Sequence, residues 1–354
     1  MWANREWSVI WTRIRSWIGF IRNLLEPHVP SLHIKLFWPS SLRALSFAIV
    51  FAMLFVAGGL AGLQYGQRDV EDFEAKHFYA HVKTIVDDSP EELKHKYSYL
   101  KHLQPPQSQE ALSNILQKLG QNVELLFQHF PNTACKEIVY STRLKNDGSV
   151  EEGLSQEFNY VILAKPGENQ EEFQEYRTDS KGHPISPTAM QGTSLLTEGF
   201  VSMPIHFLPK YQPQSRFLYL GHDKLKKVNA IVIAFAQVFG KAREVGAVNV
   251  GGQSALLLIQ GEAWVDPKTF QILRMRTELL APRPDVGLEQ QTTDIEFGPV
   301  KFKDTAVTFW LPRQVSVLVT WNTFTFHNIH NYSHFRLFSV QTDQAIAPPS
   351  RSKN

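Results

Sequence analysis

The stretch from Ala44 to Leu63, ALSFAIVFAMLFVAGGLAGL, carries no charge and only one hydrogen-bonding side chain, Ser46. At 1.5 Å per residue it is long enough for the roughly 30 Å hydrocarbon core of a bilayer. The expectation is a transmembrane helix, and it divides the rest of the chain into a basic, Trp-rich leader (1–43) and a long polar remainder. Lys and Arg gather before the span (Arg13, Arg15, Arg22, Lys35, Arg43), whereas Arg68 after it is followed at once by Asp69, Glu71 and Asp72. The positive-inside rule then puts the N-terminus in the cytoplasm and the remainder outside. The run is long, starts late and lacks a small-x-small cleavage site, so it reads as an uncleaved anchor. Gly58 and Gly62 form a GxxxG pair, a weak dimerisation signal.

Within the leader, Trp7, Ile10, Trp11, Ile14, Trp17, Ile18 and Ile21 recur at helical spacing, with Arg5, Arg13 and Arg22 elsewhere on the wheel. Indole and guanidinium suit the headgroup region, so Trp7, Trp11 and Trp17 are expected to lie in the membrane surface; packing on a protein core is the alternative. Pro27, Pro30 and Pro39 break this helix before the span.

Composition excludes several classes. The net charge is +2, and after residue 69 basic and acidic residues are interleaved, which argues against a nucleic-acid partner. Cys135 is the only cysteine, so the chain has no internal disulfide and no cysteine-built metal site. No Gly-x-Ser-x-Gly elbow, Walker loop or dinucleotide fingerprint occurs. No cofactor is expected.

Beyond the span, a helical section is expected to 134. Ser89, Pro90 and Glu92 spell a capping box with proline at the first helical position, predicting a helix from there to about Leu103. A second helix is predicted from Gln109 to Phe130, where Leu112, Ile115, Leu116, Leu119, Val123, Leu126 and Phe127 keep helical spacing. From residue 135 to 341 the period changes. Strands are expected at Lys136–Lys145 and Gln156–Ala164 around Asn146-Asp147-Gly148, then at Phe173–Thr178, Arg216–Leu220 and Ala230–Val238. A short apolar helix is expected between Thr193 and Phe207, and Gly246–Ser254 reads as a flexible turn. Ser254–Leu280 is a hairpin turning at Asp266-Pro267, with Arg274, Arg276 and Glu278 sharing one face. Later strands are predicted at Thr293–Phe297, Thr305–Trp310, Val315–Trp321, Thr323–Asn328 and Tyr332–Val340. The tail, 342–354, reads as disordered.

The phrases G-E-A-W-V-D-P-K-T-F-Q-I-L-R (Gly261–Arg274) and W-L-P-R (Trp310–Arg313), on a meander of long strands around a helix, resemble the half-barrel of periplasmic lipoprotein carriers and the related sigma-factor regulator sensors (LolA- and RseB-like proteins). More closely, S-P-E-E-L, L-Q-K-L-G-Q-N-V-E, E-Y-R-T-D and L-L-A-P-R-P-D-V-G-L are similar to phrases in a family of exported proteins of acidobacterial type that has no established activity. The resemblance implies an α+β fold in which a curved antiparallel half-barrel sheet cups helices, preceded here by a single transmembrane helix. It also implies a concave apolar face able to hold an acyl chain or a partner segment.

Candidate chemistry is sparse. His327, His330 and His334 lie in one run, and strand alternation puts His330 and His334 on one face and His327 on the other. Without a carboxylate they make a poor metal site. His77 and His81 have i,i+4 spacing but lack the glutamate of a metalloprotease. Arg274 and Arg276 near Glu278, and Asp294 with Glu296, read as the wet face of a sheet or an anion-facing patch. The aromatic set Trp310, Trp321, Phe324, Phe326 and Phe335 either lines a lipid cavity or fills the core. The expectation is a single-pass protein of a bacterial inner membrane whose periplasmic domain, with no catalytic residues, binds a lipid, lipoprotein or envelope protein as a tethered carrier or sensor. A structural subunit of an envelope complex is the alternative, and an enzyme stands third.

Overall fold

The computed structural model describes residues 76–164, 173–185, 197, 199–242, 246–250, 253–303, 305 and 307–337. The leader with Trp7, Trp11 and Trp17, the apolar run from Ala44 to Leu63 and the tail after residue 341 lie outside them. Among the described residues no helix is long and apolar enough to cross a membrane.

Two helices and thirteen strands make up the described fold: α1 (Pro90–Lys96), α2 (Leu112–His129), β1 (Thr133–Leu144), β2 (Val150–Ala164), β3 (Phe173–Thr178), β4 (Pro184–Ile185), β5 (Ser215–Leu225), β6 (Val228–Gln237), β7 (Gly246–Val250), β8 (Gln253–Leu257), β9 (Ile259–Val265), β10 (Ile272–Leu279), β11 (Leu288–Lys301), β12 (Thr308–Trp321) and β13 (Phe324–Leu337). Eleven strands form one open antiparallel sheet in the order β4-β3-β2-β1-β13-β12-β11-β10-β9-β6-β5, and β7 pairs with β8 as a separate hairpin. The class is thus α+β with strand dominant.

The sheet has to curl around α2. Phe127 of α2 stacks on Phe173 of β3 with ring centroids 4.6 Å apart. One turn from the other end of the helix, the Leu116 carbonyl accepts from the Gln212 amide, which also donates to the Phe207 carbonyl, and Phe207 meets Phe235 of β6 edge-to-face at 5.6 Å. Between β3 and β6 lie eight strand spacings, about 38 Å on a flat sheet, whereas Leu116 to Phe127 is about 16 Å of helix. The inner face is therefore concave. Across it the register runs Ile233, Ala263, Met275, Ile295, Val315, His330, Val139. It is apolar until His330. Buried Ile115, Leu119, Val123 and Phe127 of α2 cover this face together with Phe200, Val201, Ile205 and Phe207.

Among the described residues the outer face is covered at the β5-β6-β9-β10 end, where Ile85, Leu93, Leu100 and Leu103 pack on Val232, Ala234, Trp264 and Leu273. The capping box at Ser89 forms, with its hydroxyl accepting from the Glu92 amide and the Glu92 carboxylate accepting from the Ser89 amide. The helix nevertheless ends at Lys96, short of the predicted Leu103, and gives way to a 3-10 turn at Ser98–Leu100. The tighter turn brings Tyr99 onto the sheet, where its hydroxyl donates to the Glu262 carboxylate at 2.7 Å.

Edge strand β5 is protected. The backbone of Gln104 exchanges hydrogen bonds with His222 at 2.7 and 3.0 Å, and the Gln109 side chain bonds both the N–H and the carbonyl of Tyr219. Gly221 sits at φ +107°, and a Cβ there would come within 2.0 Å of the Gln104 carbonyl. Only glycine permits this approach, which blunts an edge otherwise open to pairing with another chain.

Four expectations about local structure need correction. Thr323–Asn328 and the described part of Tyr332–Val340 are one strand, β13. Thr305–Trp310 and Val315–Trp321 are one strand, β12, because Pro312 falls at a register shift opposite Phe297, a place in a sheet where a missing N–H is tolerated. Gly246–Ser254 is not a loose turn but most of the β7–β8 hairpin. Within 193–207 the described helical residues form a 3-10 turn, Met203–Phe207.

Candidate functional site

Polar chemistry is concentrated on the concave face where the apolar row ends. Alternation along β1 turns Cys135, Glu137, Val139 and Ser141 inward, all buried. Glu175 and Arg177 of β3 and Asn328, His330 and Tyr332 of β13 face the same space. Arg177 grips Glu137 with two parallel bonds, Nε to Oε2 at 2.6 Å and Nη2 to Oε1 at 2.8 Å. The Tyr332 hydroxyl donates to Oε1 at 2.8 Å, and His330 Nδ1 lies 2.8 Å from the same oxygen. Side chains of the ion pair are 2% and 0% exposed.

The ionisation of this cluster is strongly shaped by its surroundings. Burial pushes the Glu137 carboxyl up, but the Arg177 guanidinium and the His330 bond outweigh it and hold the carboxyl at about 2. Burial pushes His330 down despite the opposing pull of Glu137, and its Nδ1 faces the carboxylate. Burial raises the Tyr160 and Tyr332 phenols. It raises the Cys135 thiol as well, so this sole cysteine is a buried hydrophobe and not a reactive thiol.

The same cluster fastens the segment that fills the cup. Glu175 accepts from the N–H groups of Val201 and Ser202 at 3.1 and 2.9 Å, from the Ser202 hydroxyl, and from the Tyr160 hydroxyl at 2.6 Å. Arg177 Nη2 donates to the Thr197 carbonyl at 2.7 Å. Two charged residues of β3 therefore tie down the start of the apolar plug Phe200–Leu208.

A second feature lies between α2 and the rim of the sheet. A narrow cleft with about 20 Å³ of free space is lined by Val123, Leu126, Pro204, Phe270, Ile272 and Trp310, with Asn122 and Gln271 as polar members. The Asn122 amide donates to the Thr269 carbonyl and pins α2 to the β9–β10 turn. A crevice beside the polar cluster, too tight for a water, is lined by Cys135, Tyr160, Phe200, Tyr332 and Phe335 among others.

The five aromatic candidates do not converge. Trp310 and Phe335 are half-buried near the α2 end, one on each of these gaps. Trp321, Phe324 and Phe326 lie at the opposite end around the β12–β13 turn. There the Trp321 indole donates to the Val286 carbonyl at 2.9 Å, Phe324 is 45% exposed and Phe326 is 3% exposed. The histidine run also departs from simple alternation. His327 faces outward to Ser316 at 2.9 Å and His330 is buried, but His334 has φ +54° beside a register shift and is exposed. His330 and His334 thus share no face. Among the described residues no group of three or more potential ligands could hold a metal.

On the outer face, Arg274 forms a two-point pair with Asp294 and stacks 4.5 Å over Trp264, while Arg276 lies 4.5 Å over the Tyr99 ring. The wet-face reading is therefore only half right: Arg276 joins the helical section to the sheet through Tyr99, while Arg274 ties neighbouring strands of the sheet together. Glu262, 1% exposed, is pushed by burial up to about 8, against the lowering effect of the Tyr99 bond.

The polar cluster was not anticipated, although the signal was present. Glu137 is the one charge on the inward side of C-K-E-I-V, and E-Y-R places Glu175 and Arg177 in phase with Phe173. Charges at inward positions of separate strands need one another.

No family model matches this sequence, and no curated protein sequence is significantly similar to it. Three solved structures resemble the fold remotely. A DUF1329 family protein from Desulfovibrio piger is 10% identical, with a TM-score of 0.38 over 66% of this chain and 95% of its own. A LolA superfamily protein from Nitrosomonas europaea is 11% identical, with a TM-score of 0.34 over 64% and 94%. A domain described as an outer membrane lipoprotein-sorting protein, from Vibrio parahaemolyticus, is 11% identical, with a TM-score of 0.35 over 64% and 94%. The architecture itself rests on the strand order and register above.

Proposed function

We propose that this protein is a non-catalytic binding protein of the bacterial envelope, anchored by Ala44–Leu63, that takes an acyl chain or a lipidated segment on the concave face of its sheet. The observation that carries the reading is the cleft beside α2. Its walls, Val123, Ile272 and Phe297, are continuous with the buried core, and half-buried Trp310 borders it. As closed by α2 and the plug it leaves only about 20 Å³ of free space, room for about one water and far below the usual size of a small-molecule site. A whole chain fits only when α2 and the Phe200–Leu208 plug shift, which requires breaking the bonds from Asn122, Glu175 and Arg177.

The expected result with full-length protein and a diazirine-bearing fatty-acyl phospholipid is photolabelling of Leu126, Phe270 and Trp310, in addition to any label within residues 44–63. Label confined to the N-terminal residues would contradict the reading.

A further inference from the structure

The start of the plug is held by its main chain. Glu175 of β3 accepts from the N–H groups of Val201 and Ser202 at 3.1 and 2.9 Å. The Gly199 N–H donates to the Tyr160 hydroxyl at 3.3 Å, and Arg177 Nη2 donates to the Thr197 carbonyl at 2.7 Å. Three N–H groups and one carbonyl of one short stretch are thus met by three side chains of β2 and β3. Two side chains of the stretch add to them: Phe200 packs edge-to-face on His330 with centroids 5.1 Å apart, and the Ser202 hydroxyl bonds Glu175. Glu198 lies outside the described residues. Main-chain groups are the same in every polypeptide, so bonds of this kind select a peptide backbone and leave its sequence to the side-chain pockets.

As an occupant this stretch leaves the site unfinished. Arg177 uses Nε and Nη2 on Glu137, and Nη2 again on Thr197. Its Nη1 has no hydrogen-bond partner among the described residues, nor does His330 Nε2. Both residues are buried, at 1% and 0% exposure, and an unmatched polar group in such a place is costly. An occupant with an acceptor for Nη1 binds where the internal one falls short.

Charge decides what kind of occupant that is. Glu137 already balances Arg177, and Glu175 adds a second carboxylate bonded to the neutral donors Tyr160, Val201 and Ser202. A fatty-acid carboxylate or a phosphate would be one more buried anion facing a guanidinium that is already paired. An ester carbonyl can accept from Nη1, but it brings no N–H to replace those that Glu175 would lose. Two bonds to a carboxylate lost outweigh one bond to a guanidinium gained. An amide chain supplies both the acceptor and the donors.

We propose that Glu175 and Arg177 form a docking site for the main chain of an uncharged polypeptide segment with an aromatic residue two positions before a serine or threonine, and that residues 197–202 fill the site as an internal stand-in which that segment displaces. This docking goes beyond acyl binding and stands without it, because no acyl chain takes part.

The test uses the full-length protein without substitution. It is given a capped peptide of residues 197–203 carrying Glu198→Gln, at about 1 mM, the concentration at which a tethered segment competes. Amide exchange of Val201 and Ser202 in the protein is expected to accelerate at least about tenfold, as the peptide takes over their bonds to Glu175. Exchange in α1, on the other face, should not change. The same peptide N-methylated at its Val201 and Ser202 positions should have no effect, and neither should short-chain phosphatidylcholine, whose ester carbonyls come without a donor. No acceleration with the unmodified peptide, an equal acceleration with the N-methylated peptide or the lipid, or a parallel acceleration in α1 would each overturn the proposal. Acyl photolabelling near Trp310 is read separately, so either reading can fail alone.

Discussion

Arg177→Met is expected to reduce the unfolding free energy by about 3–5 kcal/mol, the usual cost of stranding one member of a buried ion pair. Glu137 would remain with two neutral partners, Tyr332 and His330, in a space that excludes water. Adding Glu137→Gln should recover more than half of the loss, because the amide oxygen still accepts from Tyr332 and no charge is left buried. Denaturant titration of both variants measures this coupling. A double variant no more stable than the single one would mean that the pair is not the source of the effect. The pH dependence has a definite sign. With Glu137 held at about 2, below its unfolded value of about 4.5, the pair contributes fully above pH 4.5, and its contribution is lost as pH falls toward 2. Arg177→Met should remove that acid-side slope. Because Arg177 also holds the Thr197 carbonyl, amide exchange in residues 199–208 should speed up more than in α1, which lies on the other face.

Glu262→Gln should act in the opposite direction and across a different range. The carboxyl of Glu262, raised to about 8 by burial, is neutral in the folded protein at pH 7 but ionised in the unfolded chain. Its favourable contribution is complete below about pH 4.5 and is lost as pH rises through 8, with a slope of up to about 1.4 kcal/mol per pH unit. Glutamine does not titrate, and its oxygen still accepts from Tyr99, but its N–H₂ group brings an unmatched donor costing about 1–3 kcal/mol. The variant should therefore be less stable than the parent at pH 4.5 and more stable by about 2 kcal/mol at pH 8. A stability difference that does not vary with pH would show that Glu262 is ionised in the folded state.

The parts of this fold that were legible in the sequence are those decided by neighbours along the chain. The apolar stripe of α2, the Ser89 capping box and the Asp266 turn follow from local spacing and local hydrogen bonds. Elements decided by partners across the sheet were not. The gap expected between Trp310 and Val315 is closed because Pro312 sits at the register shift opposite Phe297. His334 looked equivalent to His330 until backbone at φ +54° turned it out. The shortening of α1 reflects the pull of Glu262 on Tyr99, separated from it by 163 positions.

For the site, the aromatic residues alone were a poor guide. Trp310 and Trp321 occupy the two ends of a single long strand, so similar residue type did not mean a shared location. Inward-facing charges were the better signal. Glu137, Glu175 and Arg177 each violate the apolar phase of their strands, and burying any one of them demands the others. The plug over the concave face depends on that cluster, and the proposed binding depends on the plug being releasable.

A reversible lock on α2 tests this most directly. Cysteines at Asn122 and Thr269, brought together by the bond between the Asn122 side chain and the Thr269 carbonyl, would tie the helix to the rim once oxidised. Acyl photolabelling of Trp310 and Phe270 is then measured before and after reduction. Labelling is expected to fall severalfold in the oxidised protein and to return on reduction. Labelling of the same residues at an undiminished level with the helix locked would contradict it.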